Sequence, residues 1–269
     1  MITAGIDIGS TTTKAVVLDE NAIMASLVVP SGNLPGQTAV KLLARVLEEA
    51  NLSESDIGAI ATTGYGRRLV EIGDIVMTEI KACAAGALAG EILGEAPGER
   101  IHTVIDVGGQ DTKVIALDDA GDIEDFSMND KCAAGTGRFL EMLAVKLELS
   151  YEQFVEEALK SDTMLQMNAT CAVFAESEVV GLLARGVAKA DIAAAAHNAI
   201  ASRIASMARR VGQRGAYCFV GGGARNKALL KAIETTLNHP VYAPRKAQIV
   251  VALGAAIGAR KRSGGKDGE

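Results

Sequence analysis

Apolar and polar positions along the chain fall into two similar successions. Short β-branched runs at 3–9, 14–19 and 22–29 are separated by polar breaks and read as strands. An amphipathic helix follows at 37–50, with Val40, Leu43 and Leu47 spaced to share one face. A strand at 57–63 runs into TTGYGR, and a helix of small residues covers 79–93. The pattern then restarts, with strands at 101–107, 113–118 and 122–127 and helices at 133–148, 151–160, 174–186 and 190–212. FVGGGARN (219–226) gives a strand, a glycine turn and a helix at 226–237, and a last small-residue helix occupies 252–262. EAPGER at 95–100 places Pro and Gly between structured runs, as a linker does. The expected division is therefore 1–98 and 99–269. The last helix is free to pack on the first half, and the Gly/Lys/Asp tail is expected to be disordered.

Within these successions one phrase occurs twice. GIDIGSTTTKAVVLD begins at Gly5 and VIDVGGQDTKVIALD at Val104, so that Asp7 matches Asp106, Gly9 matches Gly108, Thr13 matches Thr112 and Lys14 matches Lys113. Each copy is a strand, a turn without bulky side chains and a second strand. Backbone N–H groups in such a turn can approach a phosphate closely. The Asp closing the first strand points toward the same turn, where a phosphate-bound Mg2+ needs oxygen ligands. A lone glycine hairpin is usually only a tight turn. Two with matched Asp and Lys positions point to nucleotide binding.

Composition narrows the class. The 269 residues allow one large or two moderate domains, and 49% hydrophobic with 22% charged residues suffices for a packed core. Aromatics are 3% and Trp is absent, so close packing of small side chains is favoured. A net charge of −6 argues against general nucleic-acid or anionic-membrane binding. The Ala-rich stretch at 190–208 is interrupted by Asp191, His197 and Arg203, so no membrane span is expected. The sequence goes directly into a strand without a basic leader, and a cytoplasmic setting is expected. There the four cysteines serve as thiols or metal ligands and not as a disulfide framework.

Gly221, Gly222 and Gly223 follow an apolar strand and open a helix, so a flat ring or a phosphate can lie against bare backbone. The order of hairpin, small-residue helix, hairpin, GGG turn and small-residue helix resembles the acetate kinase, sugar kinase, heat-shock-70 and actin superfamily. The resemblance implies an α/β fold of two ribonuclease-H-like domains with ATP in the cleft between them. The domains would rotate about connecting helices at 79–93 and 252–260.

Two cysteines stand apart from the core pattern. Cys132 lies in MNDKCAAGTGRF and Cys171 in ATCAVFAESEVVGLLARG, each near the expected start of a helix, with Lys131 and Thr170 among the polar neighbours. A helix N-terminus favours thiolate and any anionic cluster bound to it. Ordinary half-buried cysteines would also fit. Two thiols are half the complement an iron–sulfur cluster usually takes, and a twofold homodimer would supply the rest. Cys83, in a small-residue helix, and Cys218, in a strand, read as packing residues.

MNDKCAAGTGRFLEMLA, ATCAVFAESEVVGLLARG, ATTGYGR and VIDVGGQDTKVI closely resemble the activator ATPases of 2-hydroxyacyl-CoA dehydratases. These are component A proteins of the BadF/BadG/BcrA/BcrD ATPase family, which includes ATPase subunits of benzoyl-CoA reductase. The resemblance covers nearly the whole chain except the tail. It implies that Cys132 and Cys171 from two subunits hold one [4Fe–4S] cluster per dimer. It also implies ATP-driven transfer of one electron from a reduced ferredoxin or flavodoxin to an iron–sulfur dehydratase or reductase client.

In this frame Asp7 and Asp106 are the expected Mg2+ anchors through water, although strand-end capping would also fit them. Gly9, Ser10, Thr11, Thr12 and Lys14 are expected around the β- and γ-phosphates of ATP or ADP, with Gly108, Gly109, Gln110 and Asp111 opposite. Lys14 could instead be a solvated strand lysine. Gln110 or Glu79 would orient the attacking water, Glu79 having the further reading of an N-terminal helix charge. Gly221, Gly222 and Gly223 would receive adenosine. Tyr65 and Arg67 could meet a partner, sense domain closure or form a surface loop. His102, His197 and His239 share no metal spacing and read as structural. Two other readings stay open: a small-molecule kinase with Asp130 as base, and an ATP-gated redox sensor. No motif selects the client.

Overall fold

The computed structural model describes all residues except 21, 94–97, 131, 164, 168–170, 213 and 264–269. Lys131, Thr170, residues 95–97 of the expected linker and the expected disordered tail lie outside the described residues.

The first sheet contains β1 (Ile2–Ile8), β2 (Thr12–Asp19), β3 (Ala22–Pro30), β4 (Ala59–Thr63) and β5 (Ile75–Val76), in the order β3-β2-β1-β4-β5. The second contains β6 (Ile101–Val107), β7 (Thr112–Leu117), β8 (Ile123–Asn129), β9 (Ala216–Val220) and β10 (Val241–Tyr242), in the order β10-β9-β6-β7-β8. Read from opposite edges the two orders are the same. Each has an antiparallel three-strand meander whose first strand also pairs in parallel with a later one. β1 and β6 are central and are buried along almost their whole length. β8 ends its sheet and carries exposed Glu124, Asp125 and Phe126. β5 and β10 were not anticipated, since two residues are too short to show alternation.

The helices are α1 (Pro35–Glu49), α2 (Glu79–Ala87), α3 (Gly137–Lys146), α4 (Tyr151–Lys160), α5 (Ala172–Ala184), α6 (Lys189–Arg210), α7 (Lys227–Leu237) and α8 (Val250–Ser263). α1 buries Ala39, Leu42, Leu43, Val46 and Leu47, a stripe of helical period. Val40, expected on that face, stands one position off the stripe and is 47% exposed. α2 stops at Ala87, where the expected helix ran to 93; the chain then continues in turns closed by Ala89 N–H on Gly86 O and Leu93 N–H on Ala89 O. α3 starts at Gly137 and not at 133, because residues 133–136 form a turn closed by Thr136 N–H on Ala133 O, with Gly135 at φ +95°.

Three apolar clusters organise the molecule. One joins α1 to the outer face of the first sheet, and another joins α3 through α7 to the second sheet. The third contains α2 and α8 together with residues of both sheets. Here the backbones meet without intervening side chains. A Cβ at Gly254 would strike the Ala82 carbonyl, one at Gly86 the Val250 carbonyl, and one at Gly5 the Ala252 carbonyl. Thr3 Oγ1 on β1 donates to Ala256 O on α8 at 3.0 Å. Cys83 and Cys218 are buried in this cluster, where burial pushes the Cys218 thiol up to about 12 and the Cys83 thiol well above its ordinary value. No helix among the described residues is long and apolar enough to cross a membrane.

Candidate functional site

The two hairpins are superimposable in their pairing. Asp7 is opposite Lys14 and Asp106 opposite Lys113. Gly9 N–H donates to Thr12 O at 3.1 Å, and Gly108 N–H to Asp111 O at 2.9 Å, so the same bond closes both turns. The repeat also reaches the parallel neighbours. Asp7 lies beside Thr63 and Asp106 beside Val220, each followed by a glycine at positive φ, Gly64 (+88°) and Gly221 (+82°). A Cβ at Gly64 would strike Asp7 Oδ1, and one at Gly221 would strike Asp106 Oδ1. Glycine is required there by conformation and by contact. ATTGYG and CFVGGG are thus counterparts, which the sequence reading missed because only the glycines agree.

The turns of the two halves face each other. Ser10 and Gln110 are exposed at their tips, Gly9, Thr11, Thr12, Gly108 and Asp111 are half-buried, and Gly109 packs directly on Thr11. Asp7 is 2% exposed; its Oδ2 accepts from Lys14 Nζ at 2.8 Å, while Oδ1 has no hydrogen-bond partner among the described residues. Thr11 Oγ1 and Thr63 Oγ1 are likewise buried and unpartnered. Buried polar atoms are seldom left so, and these three, on the Asp7 carboxylate, on Thr63 beside it and on Thr11 in the first turn, suit a hydrated cation and phosphate oxygens. The residues fit Mg2+–nucleotide. Lys14 is held above its ordinary value, burial acting downward and the adjoining Asp7 carboxylate more than offsetting it.

In the second half Lys113 has more partners. Its Nζ lies 2.8 Å from Glu79 Oε1, 2.8 Å from Asp111 Oδ2 and 3.5 Å from Asp106 Oδ2, and the residue is 1% exposed. Burial alone would pull this ammonium down, but Asp106, Glu79 and Asp111 hold it well above the ordinary lysine range. One ammonium cannot balance three carboxylates. Burial accordingly raises Asp106 against the pull of Lys113, and burial raises Glu79 to about 7. Glu79 opens α2, so this ion pair joins the helix between the sheets to the second turn. Asp111, expected beside phosphate, is engaged with Lys113. Lys113 was legible only as a repeat position, since its link to Glu79 is a tertiary contact.

The third glycine element divides its roles. Gly222 borders open space, whereas a Cβ at Gly223 would strike Val107 and Gly221 lies against Asp106. Gly222 can therefore face adenosine, but Gly223, expected to do so, packs inward and supports the turn. In the first-half counterpart Tyr65 is 82% exposed, and Arg67 Nη1 donates to Gly64 O at 2.9 Å. His102 bonds Asp119 and Arg100 O, and His239 bonds Pro240 O.

The two thiols differ from expectation in one respect. Cys171 is the N-cap of α5, whereas Cys132 precedes the turn ahead of α3, so their positions are not equivalent helix starts. Both are half-buried. The Cys132 segment is fastened to the turn of the second hairpin. Gly137 N–H donates to Gly108 O and Arg138 N–H to Gly109 O, each at 2.9 Å, and Thr112 Oγ1 donates to Gly135 O at 2.7 Å. Asn129 Nδ2 holds the segment from the other side through Cys132 O at 3.1 Å and Ala134 O at 2.9 Å. Among the described residues no cluster of His, Cys, Asp or Glu forms a metal site within one chain.

The chain is 40% identical over 263 residues to the (R)-2-hydroxyglutaryl-CoA dehydratase activating ATPase of Acidaminococcus fermentans, covering 97% of this chain and 98% of that protein. It is similar to the solved activator of the 2-hydroxyisocaproyl-CoA dehydratase from Clostridium difficile with bound ADPNP, with a TM-score of 0.89 and 36% identity over 99% of this chain and 97% of that one. A ROK hexokinase from Thermus thermophilus, 19% identical with a TM-score of 0.55 over 97% of this chain and 99% of that one, shares the fold alone. Paired five-stranded sheets with interleaved helices are thus the actin, heat-shock-70 and ROK-like ATPase fold. Residues 4–259 match the model of one family, and the chain belongs to it: the BadF/BadG/BcrA/BcrD ATPase family.

Proposed function

We propose that this ATPase is an ATP-dependent activator that delivers one electron to a partner iron–sulfur dehydratase or reductase. The observation carrying this reading is the fastening of Cys132 to the second phosphate turn through Gly137 and Arg138. Movement of that turn on nucleotide binding or hydrolysis necessarily pulls on the segment bearing the thiol. Relatives named as activators of two different dehydratases support the same role.

In this mechanism the chain divides at 1–98 and 99–269, α8 packing with the first part. The turns at Gly9–Thr12 and Gly108–Asp111 bind the phosphates. Asp7 and Asp106 hold Mg2+ through water, and Gly222 meets adenosine. Glu79, raised toward neutrality beside Lys113, or Gln110 at the turn tip orients the attacking water. Lys113 transmits the state of the second turn to α2, about which the two parts rotate.

Cys132 and Cys171 supply half a cysteine set, and a second copy of the chain supplies the other half. A [4Fe–4S] cluster held there, one per homodimer, would carry the electron between a ferredoxin or flavodoxin donor and the client. Exposed Val173, Phe174 and Val180 on α5 give the apolar surface beside Cys171 that such a dimer would cover. The cysteine usage agrees with work in the cytoplasm. No specific observation favours the kinase reading, in which Asp130 would be the base, or the redox-sensor reading.

The test is Cys132→Ser and Cys171→Ser, purified without air. Loss of bound iron and of ATP-dependent electron delivery, with nucleotide binding retained, is expected. Iron content and electron delivery that both survive either change would refute the proposal.

A further inference from the structure

Behind the adenosine turn lies a buried polar junction built from helices that contribute nothing to the phosphate cluster. Its centre is Asn226, 2% exposed. The Asn226 backbone N–H closes the turn on Gly223 O at 3.0 Å, and Oδ1 caps α7 by accepting from Leu229 N–H at 2.9 Å. Nδ2 donates to Tyr151 Oη on α4 at 3.0 Å and lies 2.9 Å from His197 Nε2 on α6. His197 Nδ1 stands 2.7 Å from Ala193 O, which can only accept, so Nδ1 carries the proton and Nε2 accepts from Asn226. Phe154 stacks on the imidazole at 5.1 Å between centroids and fixes its plane.

We infer that His197 and Tyr151 are positioning residues for the nucleotide: acting through Asn226, they hold the Gly221–Gly223 turn in the form that receives adenosine. They set nucleotide affinity and leave the hydrolytic step alone. This rests on the nucleotide reading given above. Every polar group of the Asn226 side chain is engaged, and Asn226 and His197 are both buried. If His197 loses its acceptor, an amide proton of Asn226 is left buried without a partner. The side chain can recover one only by turning, which releases the α7 cap or the Tyr151 bond. The turn then loses its preset shape, and ligand binding must restore it. The counterpart turn at Gly64–Gly66 is closed by the same backbone bond, Leu69 N–H on Gly66 O at 2.8 Å, but the exposed Leu69 stands where Asn226 does, and Arg67 Nη1 braces the turn through Gly64 O. The deep anchor thus belongs to the copy assigned to adenosine.

The experiment compares His197→Leu, His197→Gln and Tyr151→Phe with wild type. Calorimetric titration measures ADP–Mg2+ and inorganic pyrophosphate–Mg2+ binding, and steady-state hydrolysis gives kcat and KM for ATP. Glutamine can place an oxygen where Nε2 stood. The expected result is ADP affinity and KM worsened about 5–20-fold in His197→Leu, a smaller loss in Tyr151→Phe, and recovery to within about twofold in His197→Gln. Pyrophosphate affinity and kcat should stay within about twofold throughout. Parallel loss of pyrophosphate and ADP binding would mean general loosening and overturn the inference. Unchanged ADP affinity in His197→Leu would also overturn it. Failure of the wild type itself to bind ADP would remove the underlying nucleotide reading, a separable result.

Discussion

Replacing Lys113 with Met deletes the positive charge from the buried cluster while nearly keeping its volume. The ammonium sits 2.8 Å from Glu79, 2.8 Å from Asp111 and 3.5 Å from Asp106. At an effective dielectric of about 20, each shorter contact carries about 6 kcal/mol of Coulomb attraction and the longer about 5 kcal/mol. Desolvation of the ammonium cancels most of that sum. What deletion exposes is the cost of carboxylates left buried without a counter-charge, about 3–5 kcal/mol of folding stability near pH 8. Proton uptake relieves part of it. Burial already holds Glu79 at about 7, and losing the pull of Lys113 raises it further. The folded state then binds a proton that the unfolded state has released above its ordinary value of 4.5, so stability rises as pH falls toward that value. The variant gains more than the wild type, and its deficit should shrink by about 1 kcal/mol between about pH 8 and about pH 6. Urea unfolding of both proteins at the two pH values measures this directly. A deficit below about 1 kcal/mol at the higher pH, or one that widens on acidification, would refute the charge balance described here.

Two further outcomes follow from other parts of the molecule. Gly254→Val should lower thermal stability by about 1–3 kcal/mol, because its side chain must displace the Ala82 carbonyl, while Gly98→Ala, facing open space, should not. Equal melting temperatures for the two variants would contradict the backbone contact between α2 and α8. His197 is held down to about 4, chiefly by burial, with its bond to Ala193 opposing. Below its ordinary value of 6.5 the unfolded chain takes a proton that the folded chain refuses, so stability should fall by up to about 3 kcal/mol between about pH 6.5 and about pH 4. Urea unfolding of His197→Gln should lack this acid-side loss, and parallel slopes in the two proteins would count against it.

The duplicated hairpin was readable because its function and its conformation constrain the same positions. Asp7 and Asp106, Gly9 and Gly108, and Lys14 and Lys113 recur in register in both the sequence and the sheets. The second pair of matched turns escaped notice, since at Gly64 and Gly221 only backbone conformation is preserved while the flanking side chains differ. Helix existence followed the apolar period, but ends did not. Ala133 and Ala134 favour a helix, yet Gly135 at positive φ and the pull of Gly108 and Gly109 on residues 137 and 138 delay α3. Val40 shows the limit of a stripe judged from three residues: α1 buries the neighbouring positions 39, 42 and 46 as well. The Lys113–Glu79 pair and the Asn226 junction join residues far apart in sequence, and no local pattern announces them.

The bond from Thr3 to Ala256 spans 253 positions, and α8 fills the inner side of the first sheet. During synthesis, β1 to β4 emerge long before the helix that seals them. The nascent N-terminal portion must wait on the ribosome with an open apolar face, exposed to chaperones and to self-association. Native closure comes only when α8 has itself left the exit tunnel.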